Sequence, residues 1–234
     1  MEPNTMSYDL NDTTGDTEIG GKADGLRRLA AAGLPVPPGA VIPARIADED
    51  LDRVAGELAS RFADELLAAG RDMISCFEQG GKILICGNGG SAAEAQHFAA
   101  ELINKLAVYR RALPALSLAT DTSTLTSIAN DLDFESIFAR QVEALGQKGD
   151  ILWALSTSGS SANIIKACTT AQSMNMKILS FTGQPGSQLE SMANRALAVP
   201  DADTARVQEV HLCYGHLLCL QIERYYLDQQ TTRL

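Results

Sequence analysis

The chemistry legible in this sequence gathers around two of its three histidines. His97 and Glu101 are four residues apart, so on a helix they occupy one face. An imidazole and a carboxylate one turn apart form half of a metal site, or an acid–base pair. Gln208 and His216 are eight residues apart in a second helical stretch, which separates them by about 12 Å along the axis. With metal–ligand bonds of about 2 Å, these two side chains would have to lean toward each other to share one ion. The same separation leaves room for one of them to serve a neighbouring subunit. Spacing does not choose between these arrangements. The third histidine is His211.

Three loops carry further polar chemistry. In Gly87-Asn88-Gly89-Gly90-Ser91, three glycines in five residues let the backbone turn sharply and approach a ligand closely. The free amides of the helix that follows suit an anion. A plain strand-to-helix turn is the other reading. The second loop, Ser156-Thr157-Ser158-Gly159-Ser160-Ser161, sets five hydroxyls around one glycine. One Ser or Thr suffices to cap a helix, so this loop is expected to hold a phosphate by hydroxyls and amides rather than by lysine. The third, Thr120-Asp121-Thr122-Ser123, either caps its helix or contacts substrate hydroxyls.

These residues need a frame. Short aliphatic runs predict strands at Lys82 to Cys86, Ala115 to Leu118, Ile151 to Leu155, Lys177 to Phe181 and Ala196 to Val199. Helical patterns fall between and after them: Ala92 to Leu106, Thr122 to Asn130, Ile137 to Leu145, Ala162 to Met174, and a long one from about Thr204 to Leu227. Another amphipathic pattern begins at Ile46 and runs through Leu66, Leu67, Met73 and Cys76. Strand, loop and helix repeated in this way predict an α/β fold, a parallel sheet covered on both faces. Ligands of such sheets bind beyond the carboxyl ends of the strands, which selects the loops after Cys86, Leu118 and Leu155.

Composition narrows the function classes. The chain has 234 residues, 45% hydrophobic and 21% charged, with a formal net charge of −10. That charge disfavours nucleic acid and anionic lipid as partners. No run of 18 apolar residues predicts a membrane span, and the polar, acidic N-terminus lacks the pattern of a signal peptide. The five cysteines have no C-x-x-C spacing, and four lie in apolar periodic stretches, as expected of core thiols in a reducing compartment. A cytoplasmic location is therefore expected. Residues 1–48, with Gly20-Gly21 and the turn at Pro35-Val36-Pro37-Pro38-Gly39, differ in character and form an N-terminal extension, partly disordered.

The segments GNGGSAAEAQHFAAEL (87–102), TDTSTLTSIAND (120–131), STSGSSANIIKA (156–167), LSFTG (179–183) and ARVQEVHLCYGH (205–216) together resemble the sedoheptulose-7-phosphate isomerase family of the sugar-isomerase (SIS) domain group. The resemblance spans about residues 50–228, in order and without large gaps. It implies a flavodoxin-like three-layer α/β/α sandwich over residues 49–234, with a five-stranded parallel sheet and long N- and C-terminal helices. It also implies a homotetramer with active sites at subunit interfaces. By the same resemblance one Zn2+ per subunit is held by His97, Glu101, Gln208 and His216, with Glu101 as base and His216 as acid. Substrate contacts fall on Asn88, Gly89, Gly90, Ser91, Asp121, Ser156, Thr157, Ser158, Ser161 and Gln208. The small-molecule partner is a sugar phosphate, isomerised from sedoheptulose 7-phosphate to D-glycero-D-manno-heptose 7-phosphate through an enediol.

Two alternatives accompany this reading. A non-catalytic SIS-domain regulator resembles the Gly and Ser loops, but Glu101 and His216 favour the enzyme. An isomerase of another heptose or an octose phosphate would share all these motifs. Ser160 departs from the family, which often has Asn there. Residues 20–43 resemble the opening of phosphoenolpyruvate synthase, over a stretch too short to enclose a nucleotide, and read as a fusion remnant or interface arm.

Overall fold

The computed structural model describes residues 64–231; the 1–48 extension, and the pattern from Ile46 to Phe62, lie outside the described residues. Five strands form one parallel sheet: β1 (Ile83–Gly87), β2 (Ala115–Ser117), β3 (Ile151–Ser156), β4 (Lys177–Thr182) and β5 (Arg195–Ala198), in the order β2-β1-β3-β4-β5. Among the described residues, seven helices surround it: α1 (residues 64–78), α2 (Gly90–Ile103), α3 (Thr122–Asp131), α4 (Ser136–Leu145), α5 (Ala162–Ser173), α6 (Gln188–Met192) and α7 (Thr204–Thr231). All five expected strands are present, each within one residue of its expected start. The short α6 was not expected, because five residues carry too little periodicity to register.

Every residue of β1 and of β3 is buried, as strands covered on both faces must be. Alternate side chains feed two cores. Ile83, Ile85, Trp153, Leu155, Leu179 and Phe181 pack with Met73 of α1, Phe98 and Leu102 of α2, and Leu218 and Ile222 of α7. Leu84, Cys86, Leu152, Ala154 and Ile178 pack with Phe138 and Val142 of α4 and with Ile164, Ala167 and Cys168 of α5. The result is the expected three-layer α/β/α sandwich. Four cysteines are buried and Cys213 is exposed, all as free thiols. None of the described helices is long and apolar enough to cross a membrane.

Two features of this frame position the site. The chain runs from β1 to β2 on one side and then crosses back to β3 on the other, a reversal that opens a crevice at the carboxyl ends of β1 and β3. In addition, α2 and α7 run parallel, side by side. Gly90 meets Gln208 at one end, and Phe98 meets Gly215 two turns on. Farther along, the Glu223 carboxylate accepts the backbone N–H of Ala107 at 3.0 Å, just past α2.

Candidate active site

The Gly loop closes tightly at the end of β1. A Cβ on Gly87 would collide with the Ser91 backbone, and Gly89 has φ 53°, so glycine is required at both. The helix that follows starts at Gly90 with no side-chain cap; its Ser91 N–H donates to the Asn88 carbonyl at 2.9 Å and its Ala92 N–H to the Gly89 carbonyl at 3.1 Å. Asn88, half-buried, exchanges two hydrogen bonds with Asn163 of α5: Asn88 Nδ2 donates to Asn163 Oδ1 at 2.9 Å, and Asn163 Nδ2 donates to Asn88 Oδ1 at 2.8 Å. This pair bridges the first and second loops across the crevice.

In the Ser loop, Ser156 Oγ lies 3.3 Å from Ser158 Oγ and 3.1 Å from Ser161 Oγ, and accepts the Gly159 N–H at 3.2 Å. Gly159 has φ 62°. Ser161 is the N-cap residue of α5, yet its side chain makes no cap bond. Its hydroxyl is therefore spent on the loop; the Ile164 and Ile165 amides donate to the Ser161 carbonyl, each at 3.0 Å, and those of Ala162 and Asn163 stay available to an anion. Thr157 is partly exposed, and its carbonyl accepts the Gly183 N–H at 3.0 Å.

Asp121 behaves as a cap. It is exposed, its Oδ1 accepts the Thr124 N–H at 3.0 Å, and its Oδ2 accepts the Thr124 hydroxyl at 2.9 Å. These bonds hold its carboxyl below the usual range. The capping alternative for this loop accounts for both oxygens.

On the parallel helix pair, His97 Nε2 and His216 Nε2 are 2.7 Å apart, with the rings 78° to each other. Glu101 Oε1 lies 3.6 Å from His97 Nε2, while Glu101 Oε2 is buried with no hydrogen-bond partner. Burial pulls the His216 imidazole below its ordinary pKa, as does His97 facing it, with Glu101 opposing them. Thus three of the four candidate metal-binding residues meet within one chain. Gln208 does not join them; its amide lies against Gly90, at the opening of α2.

The donor set of two imidazoles and a carboxylate with one orphaned oxygen suits zinc. Among the described residues, no three His, Cys, Asp or Glu side chains enclose an ion position as they stand. Two nitrogens on one tetrahedral zinc lie about 3.3 Å apart, so the imidazoles would have to part by roughly 0.6 Å. That is within the reach of side-chain rotation, and the group fits.

Sequence reasoning missed three polar residues at or beside this site. Asn163 falls in the segment 156–167, two positions past the Ser loop, where nothing in its spacing marks a role. Glu94, on α2, is buried, and neither carboxylate oxygen has a hydrogen-bond partner. Burial pushes its pKa up to about 7, against a smaller lowering from nearby Ser91. Arg110, also buried, donates to the Glu101 carbonyl at 2.6 Å and to the Asn104 carbonyl at 3.1 Å, satisfying the carboxyl end of α2. His211 is a core residue: fully buried, with Nε2 3.0 Å from the Thr182 carbonyl and a pKa pulled down to about 4 by burial.

Comparison with known proteins follows the same lines. The SIS domain profile matches residues 49–183. A phosphoheptose isomerase of Desulfovibrio desulfuricans is 52% identical over 160 residues, which cover 68% of this chain and 76% of that protein. The solved phosphoheptose isomerase of Neisseria gonorrhoeae is 41% identical, with a TM-score of 0.68, covering 74% of this chain and 92% of that one. That of Francisella tularensis is 40% identical, with a TM-score of 0.70, covering 75% and 94%.

Proposed function

The chain belongs to the SIS-domain family of phosphoheptose isomerases, and from that premise we propose that it interconverts sedoheptulose 7-phosphate and D-glycero-D-manno-heptose 7-phosphate. Its class is that of a sugar-phosphate isomerase. One observation carries the assignment of residues: the imidazoles of His97 and His216 in contact at 2.7 Å, with the Glu101 carboxylate 3.6 Å from the first.

In the proposed reaction, Glu101 removes a proton from C1 of the ketose while His216 protonates the oxygen on C2, giving an enediol. Glu101 then returns its proton to C2, and His216 takes the hydroxyl proton from C1 to leave the aldehyde. The orphaned Glu101 Oε2 is the atom free to act as base, since Oε1 faces His97. A zinc ion held by His97, Glu101 and His216 would supply the positive charge that polarises the sugar oxygens. Gln208 becomes a fourth ligand only by leaving Gly90, so its amide is assigned to the substrate. The hydroxyls of Ser156, Ser158 and Ser161, with the open amides of α5, receive the phosphate, and the Gly loop receives the sugar.

A homotetramer and a cytoplasmic location belong to the same proposal. The large apolar side chains of Leu67, Ile103, Val108, Leu212 and Leu217 are all at least 38% exposed, and a second copy of the chain is the partner proposed for them. The decisive experiment offers the protein ketose phosphates of six, seven and eight carbons and follows aldose formation, before and after chelation. The expected result is turnover of the seven-carbon sugar that is lost on chelation and restored by zinc. Failure to isomerise any of the three sugars refutes the activity, and turnover untouched by chelation refutes the metal.

A further inference from the structure

Asn163 lies within the segment 156–167 but carries no role there, and yet it is a buried polar residue bonded to the Gly loop. It is the second residue of α5 and only 3% exposed. Its side-chain amide is paired head to tail with that of Asn88, 75 positions earlier, by two hydrogen bonds of 2.8 and 2.9 Å. A buried polar pair of this kind contributes little net stability, because an apolar pair of the same shape is often as stable. What the pair does supply is orientation. Each amide has a second N–H and a second lone pair. Turning one amide alone would set oxygen against oxygen and N–H against N–H. Neither can rotate independently, so Asn88 presents its remaining donor and acceptor in a set direction.

We infer that Asn163 is a positioning residue for substrate: it locks the Asn88 amide in the orientation that recognises the sugar, and it ties the sugar loop to the phosphate loop so that the two halves of the pocket keep a constant separation. The inference rests on the reading that Asn88 contacts the sugar phosphate. Asn163 itself need not touch substrate. The link spans the crevice between the carboxyl ends of β1 and β3, where the two loops have no shared helix to hold them in register.

The test is a kinetic cycle on the full-length protein with sedoheptulose 7-phosphate, using Asn88→Ala, Asn163→Ala and the double variant, with folding checked by thermal melting. Asn163→Ala is expected to lower kcat/KM by about tenfold, mainly through KM. The double variant should be no worse than Asn88→Ala alone, since the second change removes a group whose partner is already gone. Additive losses in the double variant, or an Asn163→Ala enzyme within twofold of the parent, overturn the inference. If Asn88→Ala is itself silent, the reading of Asn88 falls, and the inference with it; the two failures are thus separable.

A second variant keeps the inference testable if the alanine change disturbs folding. Asn163→Asp preserves shape, but its ionised carboxylate cannot donate to Asn88 Oδ1, whereas the protonated acid can. The KM of this variant relative to the parent should therefore fall as pH is lowered. A ratio that is flat with pH counts against the lock, because a merely space-filling role has no reason to depend on that proton.

Discussion

The Phe98 ring occupies the space that a side chain at Gly215 would fill. Phe98 also stacks on Trp153, with ring centres 4.7 Å apart and planes 4° from parallel. Each of these two residues is next in sequence to an imidazole of the site, His97 and His216. The close approach of α2 and α7 at Gly215 is what brings those imidazoles together. Gly215→Ala is expected to force the helices apart, at a cost of about 1–3 kcal/mol in stability. Activity should fall beyond what the loss of folded protein explains. Thermal melting and kcat on the same preparation check both; an alanine variant with normal kcat would show that the helix spacing does not matter.

Glu101→Gln and His216→Gln remove the two groups assigned to proton transfer while keeping the side-chain shapes close to the originals. Both proteins should fold and melt near the parent temperature. Their kcat should fall by about 10²- to 10⁴-fold. Near-normal turnover in either variant would remove that residue from the mechanism.

Gln208 separates from the histidine pair in its contacts, and it should separate in its kinetics. With its amide against Gly90, Gln208→Ala is expected to raise KM by roughly tenfold and to leave bound zinc unchanged. Metal analysis beside steady-state kinetics distinguishes the outcomes. Loss of zinc with the glutamine would return it to the set of ligands.

Stability should depend on pH through two opposed buried groups. Burial raises the Glu94 carboxyl from 4.5 to about 7, so its stabilising contribution is present below pH 4.5 and is lost as pH rises through about 7. Burial lowers His211 from 6.5 to about 4, so its contribution is present above pH 6.5 and is lost as pH falls toward 4. The two contributions slope in opposite directions between about pH 4.5 and 6.5. Relative to the parent, Glu94→Gln should make stability rise more steeply with pH between about 4.5 and 7, and His211→Gln should make it fall. Denaturant unfolding across that range measures each difference, and two parallel curves would contradict the assignment.

How much of this could be read beforehand follows from how local each signal is. β1 and β3 announce themselves because Ile83–Cys86 and Ile151–Leu155 are unbroken apolar runs, and a strand buried on both faces has little other pattern available. The Gly and Ser loops are legible for the same reason, since their chemistry is packed into five or six consecutive residues. Partners far apart in the chain leave no such trace. The Asn88–Asn163 pair joins a residue marked by its loop to one that looks ordinary until the crevice brings them together. Glu94 reads as one more polar residue on an amphipathic helix until its burial is seen. Spacing placed Gln208 and His216 on one helix but could not say that their side chains would settle at different points along α2.

The two ring nitrogens that meet at 2.7 Å come from positions 119 residues apart. While the polypeptide is being synthesised, the loops and the helix bearing His97 and Glu101 emerge long before the helix bearing His216. A chain that ends before α7 therefore carries His97 and Glu101 without the imidazole they face, and without the side chains of α7 that cover one face of the sheet. The site is complete only where α7 lies against α2, which makes the reaction a report on that packing.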